Sequence, residues 1–153
     1  MRVKLKKIAI ASDHAGFLLK EYLQKCSYEG AIEWIDLGAH DEQPSDYPDF
    51  AKAMAITIKN KICERGILIC GSGVGASVAA NKFSGIRASV CHDTYSAHQG
   101  VEHDDMNILV LGARVVGFYL AHELVHSFLK ASFSEDPRHM ARLLKIRSFE
   151  ELL

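Results

Sequence analysis

The chain has no long hydrophobic run, no basic tract and no paired cysteine spacing, and each absence excludes a class of protein. Its apolar runs fall far short of the roughly 20 residues that a membrane-spanning helix needs. The net charge is −1, so nothing indicates nucleic acid or an anionic membrane as a partner. The four cysteines show no disulfide spacing, so we expect reduced thiols in a cytoplasmic protein.

The length also limits the number of domains. With 153 residues, the chain is expected to form a single domain over residues 1–153. Apolar residues make up 48% and charged residues 24%, which indicates a globular protein. The basic start, residues 1–7, runs directly into a strand pattern, unlike a signal peptide. No internal repeat or linker interrupts the chain.

Short apolar runs alternate with helical patterns along the whole sequence. Strands are predicted at residues 8–11, 31–37, 66–69, 86–91 and 107–111. Helical patterns follow them, including 94–102, 115–131 and a terminal helix at about 138–153. This alternation predicts a Rossmann-like α/β domain whose five-stranded parallel sheet carries helices on both faces.

The stretch from Gly66 to Ser77 predicts a strand, a glycine loop and a helix that begins at Ala76. Loops of this kind direct backbone N–H groups at an anion. Cys70 ends the strand at the mouth of this loop, where the same N–H groups would stabilise its thiolate. A cysteine in that position is also an ordinary small apolar residue at the end of a buried strand.

Other readings of the glycine loop fit less well. A dinucleotide fingerprint needs a third glycine one residue later than Gly75 and usually occupies the first strand–helix unit. A phosphatase loop with a cysteine nucleophile needs an arginine six positions after Cys70, where Ala76 stands. We retain neither as the main interpretation.

A literal H-E-x-x-H pattern occurs at His122, Glu123 and His126 on a predicted helix. The spacing places both imidazoles on one helix face, as in zinc proteases. A third ligand does not stand out, and two histidines on the polar side of a helix explain the pattern equally well. We therefore expect no resident metal.

Polar residues follow the predicted strands at four places, and ligands bind beyond the carboxyl ends of such strands. These residues should converge on one crevice. They are Asp13 and His14, Cys70 to Gly75, His92 and Asp93, and Gly112 to Arg114.

Several motifs, taken together and in order, resemble ribose-5-phosphate isomerase type B over nearly the whole chain. They are Ser12-Asp13-His14-Ala15-Gly16-Phe17-Leu18-Leu19-Lys20, Asp46-Tyr47-Pro48, Ile69-Cys70-Gly71-Ser72-Gly73-Val74-Gly75, Ala80-Asn81-Lys82-Phe83, Gly85-Ile86-Arg87-Ala88 and Gly112-Ala113-Arg114-Val115-Val116-Gly117. Isomerases of allose and galactose phosphates belong to the same superfamily and are close alternatives.

The resemblance implies a sugar-phosphate isomerase of the pentose phosphate pathway that needs no cofactor. It assigns the catalytic base to Cys70, a supporting hydroxyl to Ser72 and ring opening to His103. The oxyanion would lie against Gly71, Ser72, Gly73, Val74 and Gly75. The other substrate contacts would be Asp13, His14, Asp104, Arg114, Arg138 and Arg142.

The resemblance also implies a homodimer or tetramer with shared active sites. Cys70 and its loop would come from one subunit, and Asp104, Arg138 and Arg142, accompanied by His103, from the other. The terminal helix at about 138–153 would pack on the partner subunit. Asp104 departs from the family, which often has asparagine there, and a carboxylate cannot donate the amide hydrogen bond. A non-catalytic phosphate or nucleotide sensor is the alternative from a different class.

Overall fold

The computed structural model describes residues 5–152, and its sheet has five strands that all run parallel. The strand order is β2-β1-β3-β5-β4. The strands are β1 (Lys6–Ser12), β2 (Ile32–Asp36), β3 (Arg65–Cys70), β4 (Ala88–Val90) and β5 (Ile108–Gly112).

Helices connect successive strands and continue after the last one. They are α1 (Phe17–Lys25), α2 (Tyr47–Lys59), α3 (Val74–Ala80), α4 (Thr94–Asp104), α5 (Phe118–Lys130) and α6 (Pro137–Phe149). One-turn 3₁₀ helices precede α1 (His14–Gly16) and follow α6 (Glu150–Leu152). No helix within residues 5–152 is long and apolar enough to cross a membrane.

Alternating side chains of the strands pack into two separate cores. Ile8 and Ile10 of β1 face one core, which is shared with α1, α4 and α5. Ala9 and Ala11 face the other core, which is shared with α2 and α3. This alternation follows from the two-residue period of a strand. The predicted parallel sheet with helices on both faces is confirmed.

Several predicted boundaries are wrong by a few residues. Helix α3 begins at Val74, before the predicted Ala76, because Gly73 adopts φ +83° and turns the chain there. The strand predicted at 86–91 is shorter in the structure, where β4 has three residues. Helix α4 reaches beyond residue 102, so His103 becomes helical. Helix α5 begins three residues after the predicted Val115, whose N–H closes a turn onto Gly112.

Helix α6 leaves much of its apolar surface uncovered within the chain. Leu143 is buried, but Leu144, Ile146 and Phe149 are 60%, 44% and 60% exposed. The helix contacts α4 through His139, which is buried. The predicted terminal helix ends earlier than expected, at Phe149, and Leu153 lies outside the described residues.

An ion pair between a buried lysine and a partly exposed aspartate fixes the loop that follows β2. The Lys20 ammonium is fully buried and lies 2.7 and 2.8 Å from the two carboxylate oxygens of Asp36. The Gly38 N–H donates to the same carboxylate at 2.9 Å. Burial alone would raise the pKa of Asp36, but the hydrogen bonds and charge of Lys20 and the Gly38 N–H lower it below its usual value.

We expect Lys20→Met to lower the free energy of unfolding by about 3 kcal/mol at pH 7, because Asp36 loses its counter-ion. The depressed pKa of Asp36 contributes stability above its unfolded value of about 3.9, and this contribution is lost as pH falls through the folded value. The difference between variant and wild type should therefore shrink below about pH 4. Urea denaturation across this pH range measures it.

Lys25→Met is the matched control, because Lys25 lies on the same helix and is exposed. It should change stability by less than about 0.5 kcal/mol. An equal loss for both variants, or a difference that does not depend on pH, would contradict a stabilising role for the ion pair.

Candidate active site

Four chain segments meet at the carboxyl edge of the sheet, as expected for a parallel α/β fold. Neighbouring strands β1, β3 and β5 end there at Ser12, Cys70 and Gly112. Strand β4 lies beside β5 and leads into His92. The predicted crevice residues therefore lie at one edge of the sheet.

The thiol of Cys70 is held in the turn that follows β3. Its Sγ accepts a hydrogen bond from the Gly73 N–H at 3.2 Å, and the residue is 4% exposed. This hydrogen bond fixes the position of the sulfur relative to the turn. In the same turn the Ser72 hydroxyl accepts from the Val74 N–H at 3.2 Å. The thiol and the hydroxyl are thus both oriented by backbone groups of one loop.

Two glycines of the loop are required by its geometry. Gly73 has φ +83°, and a Cβ there would lie 3.2 to 3.3 Å from the backbone of Leu111 and Gly112. A Cβ at Gly75 would lie 2.6 Å from Cζ of Tyr47, the first residue of α2. The glycine-rich pattern therefore provides a tight turn and close packing against two neighbouring elements.

The segment after β5 runs beside the cysteine loop. The Ala113 N–H donates to the Cys70 carbonyl at 2.8 Å, and the Arg114 N–H donates to the Gly71 carbonyl at 3.0 Å. The guanidinium of Arg114 lies alongside Gly71, with Nη1 3.2 Å from the position of a Cβ there. This arrangement places a positive charge at the mouth of the loop.

The residues after β1 are held by local hydrogen bonds. Asp13 is buried, and its Oδ1 accepts from the N–H groups of Ala15 and Gly16 at 3.0 and 3.2 Å. The His14 N–H donates to the Ser45 hydroxyl at 3.0 Å, and His14 Nδ1 lies 3.1 Å from the Ser45 nitrogen. Asp13 therefore caps the short 3₁₀ helix, while His14 anchors the loop before α2.

The residues after β4 have structural partners. His92 Nε2 accepts from the Gly112 N–H at 3.0 Å, which joins the ends of β4 and β5. Asp93 caps α4 by accepting from the Ser96 N–H at 2.7 Å. The backbone and hydroxyl hydrogen bonds of Ser96 lower the pKa of Asp93.

The remaining predicted site residues lie away from this edge. Helix α4 starts near the carboxyl edge and runs back for eleven residues, so its end lies about 15 Å from its start along the helix axis. His103 occupies that end, beside the exposed Asp104, and its ring stacks on that of His139 in α6. Arg138 and Arg142 are exposed on the same α6 helix. One chain therefore holds the predicted site in two separate groups.

Two cavities lie elsewhere on the surface. One of about 610 Å³ is bounded by the starts of β1 and β3 and the end of α5. A second, of about 400 Å³, is open and includes Gln99 and His103 of α4. Neither includes the Cys70 loop. We assign the chemistry to the carboxyl edge, because the hydrogen-bonded thiol lies there and ligands of parallel sheets bind there.

The H-E-x-x-H residues of α5 have protein partners. His122 Nε2 lies 3.0 Å from the Ser27 carbonyl oxygen, and His126 lies 3.8 Å from the Glu29 carboxylate. The side chain of Glu123 is 65% exposed. Within residues 5–152, no group of three or more metal-binding side chains is suitably placed for an ion. The expected absence of a metal stays a prediction, and metal analysis of the purified protein tests it.

The fold and this edge define an α/β protein with a Rossmann-like sheet and a hydrogen-bonded thiol in a glycine-rich turn. Comparison with known proteins is consistent with that class and identifies the family within it. The chain belongs to the Ribose/Galactose Isomerase family, whose model matches residues 8–146.

Relatives of this family resemble the chain over nearly its full length. Ribose-5-phosphate isomerase B of Escherichia coli (strain K12) is 44% identical over 147 residues, covering 96% of this chain and 98% of the relative. The Clostridium thermocellum ribose-5-phosphate isomerase B structure has a TM-score of 0.87 and 47% identity, covering 95% and 97%. The Mycoplasma genitalium enzyme with bound ribulose-5-phosphate has a TM-score of 0.85 and 35% identity, covering 98% and 99%.

Sequence reasoning assigned no site role to three residues that contact the predicted groups. Tyr47 packs against Gly75, Gln99 contacts His103, and His139 stacks on it. The four-residue spacing of Gln99 and His103 could have indicated their contact, because residues four apart are neighbours on a helix. The contacts of Tyr47 and His139 join distant parts of the chain and had no signal in the sequence.

Proposed function

We propose that this protein is an aldose–ketose isomerase that interconverts ribose 5-phosphate and ribulose 5-phosphate. This reaction belongs to the non-oxidative branch of the pentose phosphate pathway. The observation that carries the proposal is the Cys70 thiol, whose Sγ accepts a hydrogen bond from the Gly73 N–H at 3.2 Å within a glycine-rich turn. Relatives named for this reaction match the chain over almost its entire length.

The chemistry of the turn suits proton transfer between adjacent carbons. Cys70 removes the C2 proton of the open-chain aldose, and the electron pair moves through the C1–C2 bond to the aldehyde oxygen. Backbone N–H groups of the turn stabilise the resulting enediolate. The thiol then returns the proton to C1, while the Ser72 hydroxyl relays the proton of O2 to O1. No electron leaves the substrate, so the step requires no redox cofactor.

A ring-opening step is also required, because ribose 5-phosphate is mainly a closed furanose. The C1–O4 bond breaks, O4 takes a proton from an acid, and the C1 hydroxyl loses its proton to solvent. We assign the acid to His103, which lines an open cavity that extends along α4 from Thr94. Arg138 and Arg142 would bind the phosphate, because guanidinium groups pair bidentately with phosphate oxygens.

A site shared between two chains follows from the positions of these groups. Cys70 ends β3, whereas His103 ends the helix that runs back toward the other edge of the sheet. A ribose phosphate is too short to bridge about 15 Å within one chain. We therefore propose a homodimer, with tetramers as a further assembly, in which α6 of one subunit reaches the crevice of the other.

The surface of α6 supports this assembly. Leu144 and Phe149 are each 60% exposed, although they are large and apolar. Large apolar side chains exposed together on one helix are candidates for an interface. In a two-fold dimer the same surface serves both subunits, so both sites would be completed at once.

The remaining parts of the proposal concern substrate range and location. A six-carbon sugar phosphate is the second candidate, because the family description includes galactose isomerases. A non-catalytic phosphate or nucleotide module is the alternative from another class, but it would not need an oriented thiol. A cytoplasmic location is proposed because all four cysteines are free thiols, as in a reducing compartment.

The direct test is a coupled assay with purified protein. We expect conversion of ribose 5-phosphate to ribulose 5-phosphate, with much lower kcat/KM for allose 6-phosphate and galactose 6-phosphate. Preference for a six-carbon substrate would instead identify an isomerase of six-carbon sugar phosphates in the same family. Phosphate binding without turnover of any of the three sugars would support the non-catalytic module.

Cys70→Ala should abolish most of the proton transfer, because general bases typically contribute about 10²- to 10⁴-fold. Exchange of the C2 proton with solvent deuterium should fall equally. Cys63→Ala is the matched control, since Cys63 is also a buried thiol but lies two residues before β3, at the opposite end of that strand from Cys70. Near-normal turnover of the Cys70→Ala variant would assign the base to another residue.

Mixing two inactive variants tests the shared site. Cys70→Ala and Arg142→Ala homodimers should each be nearly inactive, whereas a heterodimer contains one composite site with both residues intact. Unfolding the two variants together and refolding them should restore about a quarter of wild-type activity, since half the dimers are mixed and each has one working site.

The control for this experiment is refolding of each variant alone, which should restore nothing. Formation of heterodimers is verified by native mass spectrometry with one variant isotopically labelled. Verified heterodimers without activity would mean that each site is built within one chain.

A further inference from the structure

His103 is held at the end of α4 by a residue one turn earlier. The side-chain nitrogen Nε2 of Gln99 lies 2.8 Å from Nδ1 of His103. The two residues are four apart, so the helix itself places them side by side. The distance is short for a neutral hydrogen bond between nitrogens, and both side chains are partly buried.

A second ring fixes the plane of this imidazole. The rings of His103 and His139 lie 4.0 Å apart between centroids, with 26° between their planes. His139 is 4% exposed, and its Nδ1 lies 2.7 Å from the Ser134 hydroxyl oxygen. The Ser134 N–H donates to the Glu102 carbonyl at 2.9 Å. The segment before α6 is therefore joined to α4 by a backbone hydrogen bond, and α6 is joined to α4 by the stacked rings.

We propose that Gln99 is a positioning residue that keeps the transferable proton of His103 on Nε2. An amide nitrogen only donates, so Nδ1 of His103 must be the acceptor of this hydrogen bond. A neutral imidazole carries one N–H, which therefore lies on Nε2. This inference rests on the proposed function, in which His103 is the acid of ring opening.

The tautomer decides whether His103 can act as an acid. With the proton on Nε2, that proton passes to O4 as the C1–O4 bond breaks and its electron pair moves to O4. The C1 hydroxyl releases its proton to solvent, the aldehyde forms, and His103 recovers a proton from solvent. With the proton on Nδ1, bonded to Gln99, Nε2 has a lone pair and no proton to donate.

The opposite rotation of the amide defines the competing arrangement. The Gln99 side-chain oxygen would then accept from a His103 Nδ1–H, and Nε2 would be bare. His139 would still stack on the ring in both cases. Measuring which ring nitrogen of His103 carries the proton therefore tests the role of Gln99 itself, apart from any contribution to folding.

The experiment is nitrogen NMR of the full-length, ¹⁵N-labelled protein without substrate, at about pH 8.5, where an imidazole of ordinary pKa, about 6.5, is neutral. His103→Asn identifies the His103 signals among those of the eight histidines. We expect a protonated Nε2 and a bare Nδ1 in the wild type. Gln99→Glu should protonate Nδ1, because a carboxylate only accepts. Glu102→Gln on the same helix should leave the tautomer unchanged.

Kinetics of Gln99→Leu supply the second readout. Ribulose 5-phosphate cannot close a furanose ring, because its O5 carries the phosphate, so the reverse reaction starts from an open chain. We expect kcat from ribose 5-phosphate to fall about tenfold or more, within the range of general acid catalysis. Exchange of the C1 proton of ribulose 5-phosphate with solvent deuterium should change less than about twofold, since this exchange involves only the open-chain half of the reaction.

The two readouts separate failure of this inference from failure of the proposed function. A wild-type His103 with its proton on Nδ1, or equal losses of ribose 5-phosphate turnover and of C1 proton exchange for Gln99→Leu, would overturn the role of Gln99. Wild-type protein that isomerises no pentose phosphate would overturn the function, while the NMR result would still decide the tautomer.

Discussion

All five strands run in one direction, and this constraint determines where each chemical group of the chain lies. Every strand ends at the same edge, so the loops after β1, β3 and β5 meet there around Cys70. Every connecting helix must run back, so the end of α4 carries His103 to the other edge. A parallel sheet therefore separates residues that follow strands from residues that end helices. The proposed second subunit is the simplest way to bring the two groups together.

Local hydrogen bonding then sets the chemistry of each group. At the carboxyl edge, the turn after β3 presents an N–H to sulfur and another to the Ser72 hydroxyl. At the end of α4, an amide and a buried ring orient His103. The ion pair of Lys20 and Asp36 acts at longer range by fixing the start of the loop that carries Ser45 to His14.

The fold could be predicted because strand and helix periods are local properties of the sequence. The paired strands β1, β3 and β5 are short apolar runs, which are typical of buried strands. The motif from Cys70 to Gly75 indicated the turn that follows β3. Boundaries failed where a single backbone conformation decided them, as at Gly73, whose positive φ starts α3 early. The contacts of His139 and Lys20 could not be predicted, because each joins residues that are distant in sequence. The catalytic roles remain proposals that rest on chemistry and family resemblance.

The contact between Tyr47 and Gly75 has a consequence for how this protein can change over generations. A single added carbon at position 75 would lie 2.6 Å from the phenol ring, and the ring belongs to the first residue of α2. A larger residue at position 75 is therefore compatible with the fold only if position 47 becomes smaller. The two positions should therefore vary as a pair among descendants of this sequence. They contact each other in the fold although 27 residues lie between them in the chain.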